Sequence, residues 1–213
     1  GLREFPRDPS ILAEISNTDV ENMLCFLCNR PSEGSFWDFK RELNLTSKKD
    51  EFEIVKDCIA LGNSSINNNN LAFLVIGLEE SNGTFIGISP VKNKHSLEQR
   101  LTQCIDRYIR PGLNVISEPI NVFEIYKLVQ RGKINTTIPF SDSHKNSSCS
   151  DEILIFCLQR QQGEVLELRR EIQFPDPKNP RNTKRYDVGT GWYRIGSHTY
   201  PITEELRRIL RER

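Results

Sequence analysis

No stretch of this sequence is apolar for long enough to cross a bilayer as a helix; the longest apolar run, residues 71–78, falls well short of the roughly 20 residues that a span needs. Nor does it open on a basic segment followed by an apolar one and a small-residue cleavage site, so the expected location is the cytoplasm, with the nucleus left open. Charge of one sign is missing as well. The 29 Lys and Arg residues balance 29 Asp and Glu residues, which excludes a protein that attracts polyanions through its overall field and confines any nucleic-acid surface to a local patch. Histidine is scarce. His95, His144 and His198 have no sequence setting that pairs them with a nucleophile, so a Ser or Cys hydrolase is not expected.

Cysteine is present but badly placed for chemistry. Several of Cys25, Cys28, Cys58, Cys104, Cys149 and Cys157 fall in apolar runs, where a thiol packs as a small hydrophobe, and reduced thiols are expected. Cys25 and Cys28 form a C-x-x-C, yet a zinc site needs four ligands. The remaining ones would have to come from His144, Cys149 or the core-like Cys157, so zinc is not expected.

What is there reads as one soluble globular unit: 37% hydrophobic and 27% charged over 213 residues. Residues 1–30 are a proline-punctuated arm with a short helix, and residues 31–213 the main domain. Period two over residues 35–40 puts Phe36, Asp38 and Lys40 on one face of a strand and Trp37 and Phe39 on the other. Ser47 opens a helix with a core stripe of Phe52, Val55, Cys58, Ile59 and Gly62, ended by the polar residues 63–70. Residues 71–78 read as a doubly buried strand, turning through Glu79 and Glu80 into a second strand at 84–88. Ser96 to Gln99 resembles a capping box for a helix bearing Leu97, Leu101, Cys104, Ile105 and Tyr108. Strands are expected at 114–117, 122–129 and 152–158, a long surface loop at 132–150, and a basic loop at 176–185. A strand at 191–196 and a last helix capped by Thr203 complete the chain.

The pattern with most chemistry in it is acidic: Glu33, then Asp38 and Lys40 on one strand face, then Glu79 and Glu80 at the end of a buried strand. Carboxylates that converge can hold Mg²⁺ or Mn²⁺, which activates water and neutralises a scissile phosphate, and a nearby lysine steadies developing charge. Spacing alone leaves open that these are ordinary solvated acids at strand ends.

Four blocks carry a resemblance. Residues 33–40, Glu-Gly-Ser-Phe-Trp-Asp-Phe-Lys, look like the "E-S-x-x-x-E-F-K" signature of the Schlafen AlbA-like family, with Asp38 for the second Glu. Residues 58–63 resemble its "AxAN" helix end, residues 74–79 its "lliGvdD" strand, and residues 192–197 its closing "YxRxGS". The resemblance implies an α/β (α+β) fold with a mixed central β-sheet flanked by helices. It also implies metal-dependent endoribonuclease action on tRNA or structured RNA, or on DNA, through an acidic triad. Carried over, the triad is Glu33, Asp38 and Glu79, holding Mg²⁺ or Mn²⁺, with Lys40 near the phosphate. Asp38 is one methylene shorter than the family's Glu, and Glu79 one longer than its Asp. The Gly-Gly pair that usually precedes the third strand is replaced by Asn67 to Asn70.

A second surface is basic and aromatic. Arg181, Lys184, Arg185, Tyr193, Arg194 and His198 offer phosphate contacts and a ring for stacking on an unpaired base, and a further basic face, Lys48 and Lys49 beside Arg41, extends the groove. Nucleic acid is therefore the expected partner, RNA before DNA, with no membrane. The two-lobed clamp of eukaryotic Schlafens implies a homodimer for a single lobe. The alternatives are a non-catalytic DNA- or RNA-binding module, or a protein-interaction domain suited to neutral net charge. Asp-x-Lys beside other carboxylates also fits a restriction-enzyme-like fold.

Overall fold

The computed structural model describes residues 34–82, 84–134 and 136–213. The expected N-terminal helix, the Cys25 and Cys28 pair and Glu33 lie outside the described residues.

The strands β1 (Trp37–Lys40), β2 (Leu71–Ile76), β6 (Asn114–Asn121) and β7 (Glu152–Gln159) form the central sheet in the order β1-β2-β7-β6. β1 and β2 run parallel, and the other pairs are antiparallel, so the sheet is mixed and the fold is α+β. A parallel pair needs a crossover, and α1 (Lys48–Ser64) supplies it. Ser47 caps that helix by accepting from the Asp50 amide at 3.1 Å.

Both sheet faces are buried, which is why β2 reads as an unbroken apolar run. On one face Leu74, Ile76 and Phe156 meet Val55 and Ile59 of α1 and Leu101 and Ile105 of α2 (Lys94–Tyr108). On the other, Phe39, Phe73, Val75 and Ile155 meet Ile125 and Leu128 of α3 (Val122–Gln130). Around this core lie the hairpin β3 (Leu78–Ser81) with β4 (Thr84–Ile88) and the short pair β5 (Ile109–Arg110) with β8 (Glu167–Leu168). Two more hairpins, β9 (Ile172–Pro175) with β10 (Thr183–Tyr186) and β11 (Trp192–Ile195) with β12 (His198–Pro201), precede α4 (Glu204–Glu212). The C-terminal hairpins pack on α1 through Phe52, whose ring stacks on Tyr186 at 4.1 Å and meets Trp192 edge-on at 5.7 Å.

The structure corrects several sequence expectations. Residues 122–130 are helical and not a strand, because Asn121 accepts from the amides of Phe123 and Glu124 and so nucleates a turn. Val122, Ile125 and Leu128 then fall on one buried face. α2 starts at Lys94, two residues before Ser96, and its cap Asn93 is left-handed with no side-chain capping bond. Asn63 is not part of a solvated terminator but is buried inside α1. Glu79 and Glu80 lie within β3 and not in the turn. The basic segment 176–185 ends in a paired strand, β10. The 132–150 segment is pinned by buried Ile134, Ile138 and His144, the last 3.1 Å from Asp151.

Candidate nucleic-acid site

β1 is one of the two edge strands of the central sheet, and alternation turns Asp38 and Lys40 toward α1 while Phe39 enters the opposite core. Lys40 Nζ lies 3.2 Å from Asp38 Oδ2 and 2.8 Å from Asp57 Oδ2, so one ammonium stands between a strand carboxylate and a helix carboxylate. On its other side Asp38 has Arg194 of β11, whose Nη1 is 3.8 Å from the same Oδ2. Asp38 and Arg194 are both buried, whereas the Lys40 and Asp57 side chains keep 29% and 21% of their exposure, so the cluster is open to solvent on the Lys40 side.

Burial works against the charge on Lys40, but Asp38 and Asp57 outweigh it and raise its pKa, so the amine stays an ammonium. Asp57 shifts upward too. Its burial dominates, Lys40 opposes that effect, and the like charge of Asp38 adds to it.

Arg194 is placed by α1. Asn63 donates to the carbonyls of Leu166 and Trp192, both at 2.9 Å, and accepts from the Leu166 amide. Ser64 exchanges hydrogen bonds with the backbone of Arg194. Arg194 was expected at the nucleic-acid backbone; instead β11 alternates so that Trp192 and Arg194 face inward, and the guanidinium serves Asp38.

Glu79 sits elsewhere. Gly77, at φ +110°, donates its amide to Lys40 O and accepts from Ser89, ending β2. A Cβ there would come within 2.9 Å of Ile153 and 3.0 Å of the Ser89 carbonyl, so only glycine permits the redirection. Beyond it Glu79 is partly exposed, with Arg41 Nε at 3.9 Å. Among the described residues no three His, Cys, Asp or Glu side chains gather as a metal site, so Asp38, Asp57 and Glu79 do not form one cluster by themselves. Asp38 and Asp57 alone give two carboxylates facing one position. That donor set suits Mg²⁺, which is commonly held by one or two carboxylates together with substrate phosphates.

The basic set is divided. Arg181 and Lys184 are exposed on the β9–β10 hairpin, but Arg185 is engaged by Glu171 at 2.6 Å and by Asp187 at 3.5 Å. Tyr193 faces away from α1 with its ring 5.7 Å from Tyr200, and His198 is exposed at the start of β12.

With this geometry in place, a family model described as Schlafen, AlbA_2 matches residues 33–203. The chain belongs to the Schlafen AlbA_2 family. No curated protein matches it. Membership makes this a nucleic-acid-related domain, and the matched span runs from the Asp38 strand through the hairpin that supplies Arg194. No helix among the described residues is long and apolar enough to cross a membrane.

Within this Schlafen AlbA_2 domain the residue that sequence reasoning missed is Asp57. It lies in helical register with buried Ile54, Leu61 and Ser64, a second stripe beside the one recognised. An acid in a stripe that packs inward was the available signal.

Proposed function

We propose that this domain binds nucleic acid, RNA in preference to DNA, and cleaves its phosphodiester backbone with Mg²⁺ or Mn²⁺ at Asp38, Lys40 and Asp57. The observation that supports the reading is the convergence of two carboxylates on one partly exposed ammonium. Asp38 and Asp57 would hold the ion once a substrate phosphate draws Lys40 away, with Glu33 and Glu79 as the further carboxylates implied by the family signature. The ion supplies an activated water and neutralises charge at phosphorus. Lys40, kept as an ammonium, moves to the phosphate oxygens, and Arg194 fixes the orientation of Asp38. Arg41, Arg181, Lys184, Arg185 and His198 hold the backbone, and Tyr193 offers a ring for stacking. We take the protein further to be a cytoplasmic homodimer, and sedimentation mass tests the dimer.

A second reading, a binding module without cleavage, is favoured by the two cations already on Asp38. Transfer RNA and single- and double-stranded DNA, incubated with Mn²⁺, Mg²⁺ or EDTA, separate the two. Metal-dependent cutting by the wild type that is lost in Asp38→Ala supports the nuclease. Loss in Asp57→Asn but not in Glu79→Ala assigns the second carboxylate to α1, and the reverse assigns it to β3. Intact substrates with salt-sensitive binding would establish the binding module.

A further inference from the structure

A cavity of about 370 Å³ opens where β1 and β2 end, beside the acidic cluster and not part of it. Ile76, which pairs with Lys40 across the two strands, forms part of its wall, and Arg41, the residue after Lys40, reaches its rim. Three cations line it, Arg41, Lys92 and Arg100, against one carboxylate, Glu42. All three are exposed. Arg100 is anchored by donating from Nη2 to the Leu45 carbonyl at 2.6 Å, and among the described residues Lys92 has no acidic partner. The start of α2 adds first-turn amides with no side-chain cap. The rest of the wall is mixed: Leu43, Pro90, Val91 and Leu97 give it an apolar side, and Asn44, Ser89, Asn93 and Ser96 a polar one.

A bare inorganic anion would need the cations but neither this volume nor the apolar wall. Pockets of roughly 300 Å³ and above with a few convergent polar groups take small organic ligands. We infer that this cavity binds one phosphorylated nucleotide, its phosphate on Arg41, Lys92 and Arg100 and its sugar and base against the Leu43, Pro90 and Val91 wall. The nucleotide is either a unit of a single strand that continues past Lys40 or a free mononucleotide. The first case rests on the function proposed above, and the second does not.

Fluorescence anisotropy of a labelled single-stranded RNA decamer, and calorimetry with AMP, test it on wild type, Lys92→Glu, Arg100→Gln and Lys184→Glu. Melting temperatures matching the wild type certify that the variants are folded. Loss of roughly tenfold or more in decamer affinity in Lys92→Glu and Arg100→Gln, as expected when a charge-assisted contact is removed, shows the strand-borne nucleotide in the cavity. AMP binding that disappears in the same two variants, with no decamer binding, shows a free nucleotide there and removes the nucleic-acid function while keeping the pocket. Decamer binding that is unchanged in both cavity variants but weakened in Lys184→Glu, with AMP binding absent or equally unchanged in the cavity variants, overturns the pocket and leaves the nucleic-acid function standing. Wild type that binds neither probe overturns both.

Discussion

The Ser64 hydroxyl donates to the Arg194 carbonyl at 3.1 Å and accepts from the Arg194 amide at 2.6 Å. The last turn of α1 thereby sets the height of β11 and delivers the Arg194 guanidinium to Asp38. Ser64→Ala leaves that amide and carbonyl without the hydroxyl in a buried place, and a loss of about 1–3 kcal/mol is expected. Urea unfolding monitored by tryptophan fluorescence measures it. A midpoint equal to that of wild type would mean that Arg194 is positioned by something else.

Asn63, one residue earlier, ties three backbone groups to α1. Asn63→Ala and Asn63→Leu both strand two carbonyls and an amide in the core, and each is expected to cost at least about 3 kcal/mol. Equal stability of Asn63→Leu and wild type would show that apolar volume is what the site requires.

Lys40 and Asp57 make an asymmetric pair. Removing Lys40 leaves two carboxylates facing each other, so Lys40→Met is expected to destabilise the fold by roughly 3–5 kcal/mol at neutral pH. Removing the Asp57 charge relieves a carboxylate whose burial outweighs its pairing, so Asp57→Asn is expected to stay within about 1 kcal/mol of wild type. Matching losses in the two variants would mean that pairing, and not burial, governs Asp57.

The pH dependence follows with a definite sign. Asp57 has its folded pKa raised above the ordinary aspartate value. Its favourable contribution is fully present below that ordinary value and is lost as pH rises through the raised one. Wild type should therefore lose stability relative to Asp57→Asn as pH climbs through the carboxylate range. A stability difference that stays flat over that range, measured by urea titrations at successive pH values, would contradict the upward shift.

Local rules made much of the domain legible. The alternation in residues 36–40 correctly put Asp38 and Lys40 on one face, and Ser47 correctly marked the start of α1. The stripe Leu97, Leu101, Cys104, Ile105 and Tyr108 correctly named the buried side of α2, although not its first residue. The 122–130 segment misled because an apolar stretch that short fits either period, and the cap bonds of Asn121 decide between them.

Sequence by itself determined the family, through the order of its motif blocks, and the common direction of Asp38 and Lys40, through a period of two; the mixed sheet was what the family resemblance implied. Only the tertiary structure decided which groups meet. Asp57 comes to Lys40 because α1 crosses between two parallel strands, and Arg194, 156 positions beyond Asp38 in the numbering, comes to it because β11 is bonded to the end of that helix. No local pattern encodes such a meeting, since it results from how the elements pack and not from neighbours along the chain.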